Sequence, residues 1–172
     1  IVVPTFNRED HLRRSLGSIA LQSFRDYEVI VVDNASTDRT VEVALSFRDR
    51  FDLAVLVNDS NRERSYSRNL GAKHSAGRFV VFLDSDDELK PDSLECAAAF
   101  VETDSDRRLF FQQITCVDEL GATVYEPGFR RGHGMRRTLA EGNPLGCSGV
   151  FVERSLILQH RFDESPELVG SE

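Results

Sequence analysis

A group of carboxylates in the middle of the chain gives the clearest sign of chemistry in this sequence. Asp84, Asp86 and Asp87 directly follow an apolar run at 79–83. Neighbouring carboxylates repel one another unless water or a cation screens their charge, and Mg²⁺ binds through one or two carboxylates together with substrate phosphates. The pattern favours a site for a divalent cation, and a polar turn that caps the next helix is the alternative.

Two further side chains stand where a nucleotide could be held. Asp33 ends an apolar run, and a carboxylate there can accept hydrogen bonds from a base or a ribose, although it could equally cap the next helix. Arg68 precedes the run at 79–83, and its guanidinium suits phosphate oxygens. A solvated helix face with charge partners four residues away would also use Arg68. Local sequence leaves both alternatives open.

A basic, glycine-rich segment occupies residues 126–142 and shows no hydrophobic periodicity. Its basic side chains flank Gly132-His133-Gly134 and are Arg130, Arg131, Arg136 and Arg137. Such a loop could close over a phosphate-bearing ligand, but it could also be a solvated surface loop, which is the interpretation that we prefer.

Composition and charge exclude several classes of protein. The 172 residues are 40% hydrophobic and 29% charged, which is typical of one globular domain. A net charge of -8 argues against non-specific binding to nucleic acid, which needs a positive surface. The histidines lack zinc-site spacing. Neither a P-loop nor a dinucleotide-binding glycine motif occurs in the sequence.

Cysteine usage and hydropathy bear on location. Three widely spaced cysteines are typical of reduced thiols in the cytosol, and no apolar run approaches the roughly 20 residues of a membrane-spanning helix. We therefore expect a cytoplasmic protein. Because the chain opens at Ile1, directly in a predicted strand, we also expect that a preceding segment has been removed.

Alternating elements in the first half would bring these side chains together. Apolar runs predict strands at 1–3, 27–33, 53–57 and 79–83. Helices are predicted at 8–22 (capped by Asn7), 39–50 and 65–75, with another beginning at Pro91. This alternation predicts an open, mostly parallel sheet with helices on its faces. Ligands bind outside the carboxyl ends of such strands, so we expect Pro4, Thr5, Asp33 and the acidic cluster to share one crevice.

The second half has a different pattern. Strands are predicted at 109–117, 123–125 and 149–152, with a turn at 118–121 and a short helix at 155–160. No linker or internal repeat divides the chain. We therefore expect a single domain over 1–172, with a nucleotide-binding half at 1–100 and a smaller half at 101–172.

The ordered set of segments resembles the nucleotide-sugar-dependent glycosyltransferases of family 2, which have the GT-A fold. The matching stretches lie at 1–8, 22–24, 27–38, 68–71, 76–79 and 82–87. Each stretch alone is a weak match, and their order and spacing carry the resemblance. It implies an α/β, Rossmann-like sheet with helices on both faces and a smaller acceptor-side half.

The resemblance also implies roles for particular residues. The donor, a UDP-sugar, would contact Pro4, Thr5, Asp33, Arg68, Asp84 and Asp86. Asp86 would bind Mn²⁺ or Mg²⁺, and Asp87 would share that role. The cation would stabilise the leaving diphosphate, a carboxylate base would take the proton of the acceptor hydroxyl, and the anomeric carbon would be inverted.

The catalytic base of the family is an Asp in a Glu-Asp pair. Residues 161–164 resemble the stretch that precedes this pair, and Glu172 matches its Glu. The resemblance therefore implies that the base is the residue after Glu172 and that the chain is incomplete at its C-terminus. The stretch at 146–149 resembles the small-residue segment that lines the family's site.

The implied partners are a nucleotide-sugar donor and a carbohydrate or lipid-linked saccharide acceptor, as in polysaccharide biosynthesis, without nucleic acid. Peripheral membrane contact is expected only of a longer protein. The alternative function is a non-catalytic nucleotide-sugar-binding module on the same fold. A Mg²⁺-dependent phosphohydrolase ranks below both, because it would need an Asp nucleophile at the end of the first strand, where Pro4 and Thr5 stand.

Overall fold

The computed structural model describes residues 1–62, 64–126 and 146–165. The strands of the first half are β1 (Val2–Thr5), β2 (Glu28–Asp33), β3 (Asp52–Val57) and β4 (Phe79–Val81). The helices that alternate with them are α1 (Glu9–Ala20), α2 (Thr40–Leu45), α3 (Arg64–His74) and α4 (Ser93–Glu102). The second half contains β5 (Leu109–Phe111), β6 (Cys116–Val117), β7 (Thr123–Tyr125), a short 3₁₀ helix (Cys147–Gly149), β8 (Val150–Glu153) and α5 (Arg154–Gln159).

The described strands form a parallel three-stranded sheet, an antiparallel three-stranded sheet and a separate antiparallel pair, β6 with β7. β1, β2 and β3 pair in parallel, with β2 in the middle. Val2 forms a parallel bridge with Phe82, and the Leu83 N–H donates to the Val2 carbonyl at 2.9 Å, so the chain after β4 adjoins β1. β8 then lies antiparallel between β4 and β5. The predicted α/β fold with a parallel sheet is confirmed, and β8 joins β4 to β5 by antiparallel pairing.

The continuous apolar run of β2 reflects burial of both faces of the sheet. Val29 and Val31 pack in a core cluster that includes residues of α1 and α2. Ile30 and Val32 belong to a second cluster on the other face, which includes Ala72 of α3. A strand covered on both faces has no solvent side, so its sequence shows no alternation.

Helix α3 approaches β1 closely because it has no side chain at the point of contact. A Cβ placed on Gly71 would lie 2.3 Å from Cγ1 of Val2, far inside van der Waals contact. The helix that carries Arg68 is therefore held directly against the first strand.

The loops after β1 and β2 are joined by an exchange of helix caps. Asp38 accepts a hydrogen bond at 3.3 Å from the N–H of Glu9, the first residue of α1, and Glu9 accepts one at 3.1 Å from the N–H of Arg39, which precedes α2. The prediction that Asn7 caps α1 is wrong, because Asn7 Oδ1 accepts from the Thr37 N–H at 2.8 Å. The start of α1 is therefore capped from the loop after β2, and the residue before α2 is held by the first residue of α1.

Two predicted elements are shorter in the structure. α2 ends at Leu45 instead of residue 50, and the Ser46 hydroxyl donates to the Val43 carbonyl at 2.7 Å, which competes with helical hydrogen bonding. The predicted strand at 109–117 divides into β5 and β6. Between them Gln112 turns to α4, where its Nε2 donates to the Ser93 carbonyl at 2.7 Å. The return strand at 123–125 is confirmed.

Candidate functional site

A pocket of about 310 Å³ opens at the carboxyl ends of β1, β2 and β4. Its walls come from the loops that follow these strands, from the loop after β3 and from the start of α3. The residues that line it are Pro4, Thr5, Phe6, Arg8, Asn34, Arg62, Arg64, Ser67, Asp84, Ser85 and Asp86. The structure thus brings together residues from the strand ends, where a parallel sheet binds its ligands.

The predicted donor-site residues divide into a lining group and a supporting group. Pro4, Thr5, Asp84 and Asp86 line the pocket, and Asp33 and Arg68 are buried beside it. Asp33 is 1% exposed and pairs in register with Thr5 across the two strands. Their contact with a donor stays a prediction.

Two buried oxygens beside the pocket have no hydrogen-bond partner within the described part of the chain. They are Thr5 Oγ1 and Asp33 Oδ1. Asp33 Oδ2, in contrast, accepts from the Ser36 N–H at 2.9 Å, so one half of this carboxylate is fixed by the following turn. Most buried polar groups in native proteins are satisfied, so these two oxygens at adjoining strand ends are exceptions that a bound ligand could satisfy.

Arg68 is buried against the acidic loop. Its Nη2 donates to Asp84 Oδ1 at 2.8 Å, and its guanidinium carbon lies 5.5 Å from the centre of the Phe162 ring. The arginine is only 8% exposed. The alternative of a solvated helix face is therefore wrong for Arg68, whose role in the fold is to hold the carboxylate of Asp84.

The last two residues of the acidic cluster point to different partners. Asp86 lines the pocket, and its Oδ2 lies 3.4 Å from Nη1 of Arg8. Asp87 accepts a hydrogen bond from the Ser148 hydroxyl, and it is not among the pocket-lining residues. Burial raises the pKa of Asp87, and the charges of Asp84 and Asp86 raise it further, against the lowering effect of the Ser148 bond.

A divalent cation fits this arrangement only in company with phosphate. Over residues 1–62, 64–126 and 146–165, no group of three or more His, Cys, Asp or Glu side chains could hold a metal by itself. Asp84 and Asp86 both face the pocket, and their described ion pairs each use one carboxylate oxygen. Two carboxylates with phosphate oxygens are a common Mg²⁺ environment. The donor set therefore fits Mn²⁺ or Mg²⁺ through these two residues, whereas Asp87 is bonded to Ser148 through one carboxylate oxygen and does not line the pocket.

The structure also identifies pocket residues that the sequence did not single out as donor contacts. Arg8 and Arg62 line the pocket, and Asn34 lines it directly after β2. Arg62 donates to Asp59 at 3.0 Å and lies 4.3 Å from the centre of the Tyr66 ring. Their positions just beyond strand ends were a usable signal, since such positions border the ligand crevice.

The small-residue stretch at 146–149 reaches the site through one side chain. The Ser148 hydroxyl accepts from the Asp84 N–H at 3.1 Å and donates to Asp87, so it joins the acidic loop to the second half of the chain. Burial raises the pKa of the neighbouring Cys147 thiol. A Cβ on Gly149 would lie 2.6 Å from the Gln112 carbonyl oxygen, so a larger residue there would displace this stretch.

Other expectations fall on parts of the chain outside the described residues. These are the basic side chains Arg130, Arg131, Arg136 and Arg137, and Glu172 with the base expected after it. Among the helices that the structure does describe, none combines the length and the apolar character needed to cross a bilayer.

Comparison with known proteins gives a consistent result. The family described as Glycosyl transferase family 2 matches residues 1–154. The poly(ribitol-phosphate) beta-N-acetylglucosaminyltransferase TarS of Staphylococcus aureus is 37% identical over 105 residues, which are 59% of this chain and 18% of TarS. An uncharacterised glycosyltransferase of Haemophilus influenzae is 33% identical over 161 residues, which are 92% of this chain and 54% of that protein. The chain thus spans only part of the length of these relatives.

Solved structures match over nearly the whole chain. The crystal structure of S. aureus TarS 1–349 in complex with UDP superposes with a TM-score of 0.80 and 28% identity, covering 99% of this chain and 51% of that chain. The complex of the same protein with UDP-GlcNAc gives a TM-score of 0.79 and 27% identity, covering 94% of this chain and 47% of that chain. These are strong likenesses to GT-A glycosyltransferases.

Proposed function

The chain belongs to glycosyl transferase family 2, and from this premise we propose that it transfers a sugar from a UDP-sugar to an acceptor hydroxyl. The likeness to TarS in complex with UDP-GlcNAc makes this nucleotide sugar the first donor to test. We propose a carbohydrate or a lipid-linked saccharide as the acceptor, in polysaccharide biosynthesis.

The observation that carries the proposal is the pair of unsatisfied oxygens at the ends of β1 and β2. Thr5 Oγ1 can donate or accept a hydrogen bond, and Asp33 Oδ1 can accept one. A nucleoside offers both kinds of group on its base and ribose. Bound at this position, it would supply partners for Thr5 Oγ1 and Asp33 Oδ1, which have none in the described protein.

The charged residues of the pocket would bind the diphosphate of the donor and the cation. Arg8 and Arg62 line the pocket and can offset the charge of a diphosphate. Asp84 and Asp86 would hold Mn²⁺ or Mg²⁺, which when bound stabilises the leaving diphosphate as a Lewis acid. Arg68 fixes the orientation of Asp84 through Oδ1, so this carboxylate is positioned before the donor arrives.

The acceptor hydroxyl must lose its proton as the new bond forms. We assign this step to a carboxylate base that lies outside the described residues, next to the position of Glu172. Attack from the side opposite the diphosphate inverts the anomeric carbon. Inversion, the base and the acceptor rest on the family resemblance alone.

A cytoplasmic location is part of the proposal. Cys96, Cys116 and Cys147 are all free thiols in the structure, as is usual in a reducing compartment. Peripheral contact with a membrane is proposed only for a protein longer than this chain.

Calorimetric titration of the chain with UDP, GDP, dTDP and inorganic phosphate, each with and without Mn²⁺, tests the proposal. We expect UDP to bind most tightly and Mn²⁺ to strengthen its binding. A folded sample that binds none of the nucleotides would contradict the proposed donor site. If a longer protein binds UDP-GlcNAc but transfers no sugar to any acceptor and releases no UDP, the non-catalytic alternative is favoured.

A matched pair of substitutions locates the nucleotide. Thr5→Val keeps the shape of the side chain and removes the unsatisfied hydroxyl, so it should weaken UDP binding several-fold. Ser15→Ala removes another buried hydroxyl that has no partner in the described structure, but on α1 and outside the pocket lining. It should leave UDP binding unchanged. Equal effects of the two substitutions would show that the nucleotide does not contact Thr5.

A further inference from the structure

We propose that Asn34 is a positioning residue, which holds the segment 58–62 after β3 in place as a wall of the donor pocket. The part of the inference that concerns the donor rests on the proposed function. The part that concerns the loop rests on hydrogen bonds alone. Asn34 directly follows β2, lines the pocket and is only 7% exposed. Its backbone N–H donates to the Thr5 carbonyl at 2.8 Å, so its main chain extends the edge of the sheet.

The side chain of Asn34 makes every hydrogen bond that an amide commonly makes. Nδ2 donates to Asn61 Oδ1 at 2.7 Å and to the Arg62 carbonyl. Oδ1 accepts from Asn58 Nδ2 at 2.9 Å and from the Arg62 N–H at 2.9 Å. An amide has two donor hydrogens and two acceptor lone pairs, and all four are occupied here. Asn34 therefore faces the pocket with no hydrogen-bonding capacity left for a ligand.

The Arg62 backbone also fixes which way the amide points. A backbone N–H can only donate and a carbonyl can only accept, and Asn34 bonds to both of these groups of Arg62. An exchange of the amide nitrogen and oxygen would place like groups against each other at both contacts. The recognition of Arg62 by Asn34 is therefore specific to an amide and unavailable to Asp, which has the same shape.

The contacts of Asn34 reach the other walls of the pocket. Asn58, which donates to Asn34, also donates from Nδ2 to Ser67 Oγ at 3.1 Å. The Asn58 N–H donates to the Asp33 carbonyl at 2.8 Å. The loop at 58–62 is thereby tied to β2 and to α3, and it places Arg62 at the pocket surface. Loss of the Asn34 amide would remove the hydrogen bonds that hold the segment 58–62 beside the pocket.

The test replaces Asn34 with an isosteric acid. Asn34→Asp keeps the size and the two acceptor positions, removes both donors, and places an acceptor against the Arg62 carbonyl. We expect faster hydrogen–deuterium exchange in peptides covering 58–62 and a UDP affinity reduced by about tenfold, as expected from the loss of one or two hydrogen bonds. Exchange elsewhere in the chain should change little.

Gln112→Glu is the matched control. Gln112 is likewise an amide that joins two elements, with Nε2 donating to the Ser93 carbonyl at 2.7 Å, and it does not line the pocket. Its substitution should leave UDP affinity and exchange at 58–62 as in the wild type. The control separates a local effect on the loop from a general loss of stability.

Three results would overturn the inference. Unchanged exchange at 58–62 in Asn34→Asp would show that the amide does not hold the loop. Faster exchange with unchanged UDP affinity would show that the loop does not contribute to donor binding. Equal changes in Gln112→Glu would show a general effect. If the wild type itself binds no nucleotide, the proposed function fails, and exchange at 58–62 alone decides whether Asn34 holds the loop.

Discussion

Arg68 donates from Nη2 to Asp84 Oδ1 at 2.8 Å, and this ion pair joins helix α3 to the acidic loop beside the pocket. Since Arg68 is buried and lies near the Phe162 ring, water cannot readily replace its partner. The position of the Asp84 carboxylate therefore depends on α3 as much as on the strand that precedes it. Removal of one partner leaves the other charge partly desolvated and uncompensated.

Arg68→Gln should lower the free energy of unfolding by about 3 kcal/mol, the lower end for a buried pair because Asp84 is partly exposed. Urea denaturation of the two proteins measures the difference. Arg39→Gln, which breaks an exposed pair with Glu9, is the control and should cost much less. Similar losses for both substitutions would contradict a buried role for Arg68.

The acidic loop predicts unequal effects for two neighbouring carboxylates. Asp86→Asn should lower Mn²⁺-dependent UDP affinity by about tenfold, equivalent to about 1.4 kcal/mol, because this carboxylate lines the pocket. Asp87→Asn should have a smaller effect, because Asp87 is held by Ser148. Calorimetry with and without Mn²⁺ measures both, and the titrations without metal serve as the control. A larger loss for Asp87→Asn would make Asp87 the principal metal ligand.

The environment of Asp87 predicts a pH dependence of stability. Burial raises its pKa above the ordinary value of 3.8, so in the window above 3.8 the folded protein binds more protons here than the unfolded chain. The stability of the wild type relative to Asp87→Asn should therefore fall as pH rises through that window. Urea denaturation of both proteins measures this difference. The series runs from about pH 3 to about pH 7, which covers the titration of a carboxyl group.

Asp163→Asn is a control of opposite sign. Hydrogen bonds from Ser165 lower the pKa of Asp163, so its contribution to stability is present above the ordinary value of 3.8 and is lost as pH falls through the lowered value. The stability of the wild type relative to Asp163→Asn should therefore fall towards acid pH. Curves with the same slope for Asp87→Asn and Asp163→Asn would contradict the raised pKa of Asp87.

The close contact between α3 and β1 predicts opposite effects for two glycine substitutions. Gly71→Ala would place a Cβ 2.3 Å from Val2 Cγ1 and should destabilise the protein by about 1–3 kcal/mol through overpacking. Gly17→Ala lies in α1 with nothing within 4 Å of the new Cβ, so it should stabilise by about 0.5–1 kcal/mol. Thermal unfolding followed by circular dichroism measures both. A neutral Gly71→Ala would show that α3 can move away from β1 at little cost.

The sequence was enough to predict that residues at the strand ends lie in the site. Thr5 and Asp84 each follow an apolar run, and parallel strands align their carboxyl ends at one edge of the sheet. Their convergence on the pocket therefore follows from topology. The burial of Arg68 could not be read from α3 alone, because Phe162, which lies beside it, is distant in sequence.

Contacts between loops account for what could not be predicted. Asn7 has the residue type of a helix cap. Only the fold shows that Asn7 bonds to the loop after β2 and that this loop caps α1 instead. The direction of Asp87 depends on Ser148, which lies 61 residues further along the chain. Asn34 reads as a turn residue, and its hydrogen bonds depend on the path of the loop before α3. No local pattern encodes such pairings.

The antiparallel strand β8 has a consequence for the order in which the protein can fold during synthesis. Val80 of β4 pairs with Val152 of β8, and β8 also pairs with β5. The edge of β4 therefore lacks its partner on the ribosome until β8 (Val150–Glu153) has been synthesised. Contacts so distant in sequence slow folding, and an open strand edge can pair with another chain. Early release of the nascent chain should therefore favour aggregation through β4.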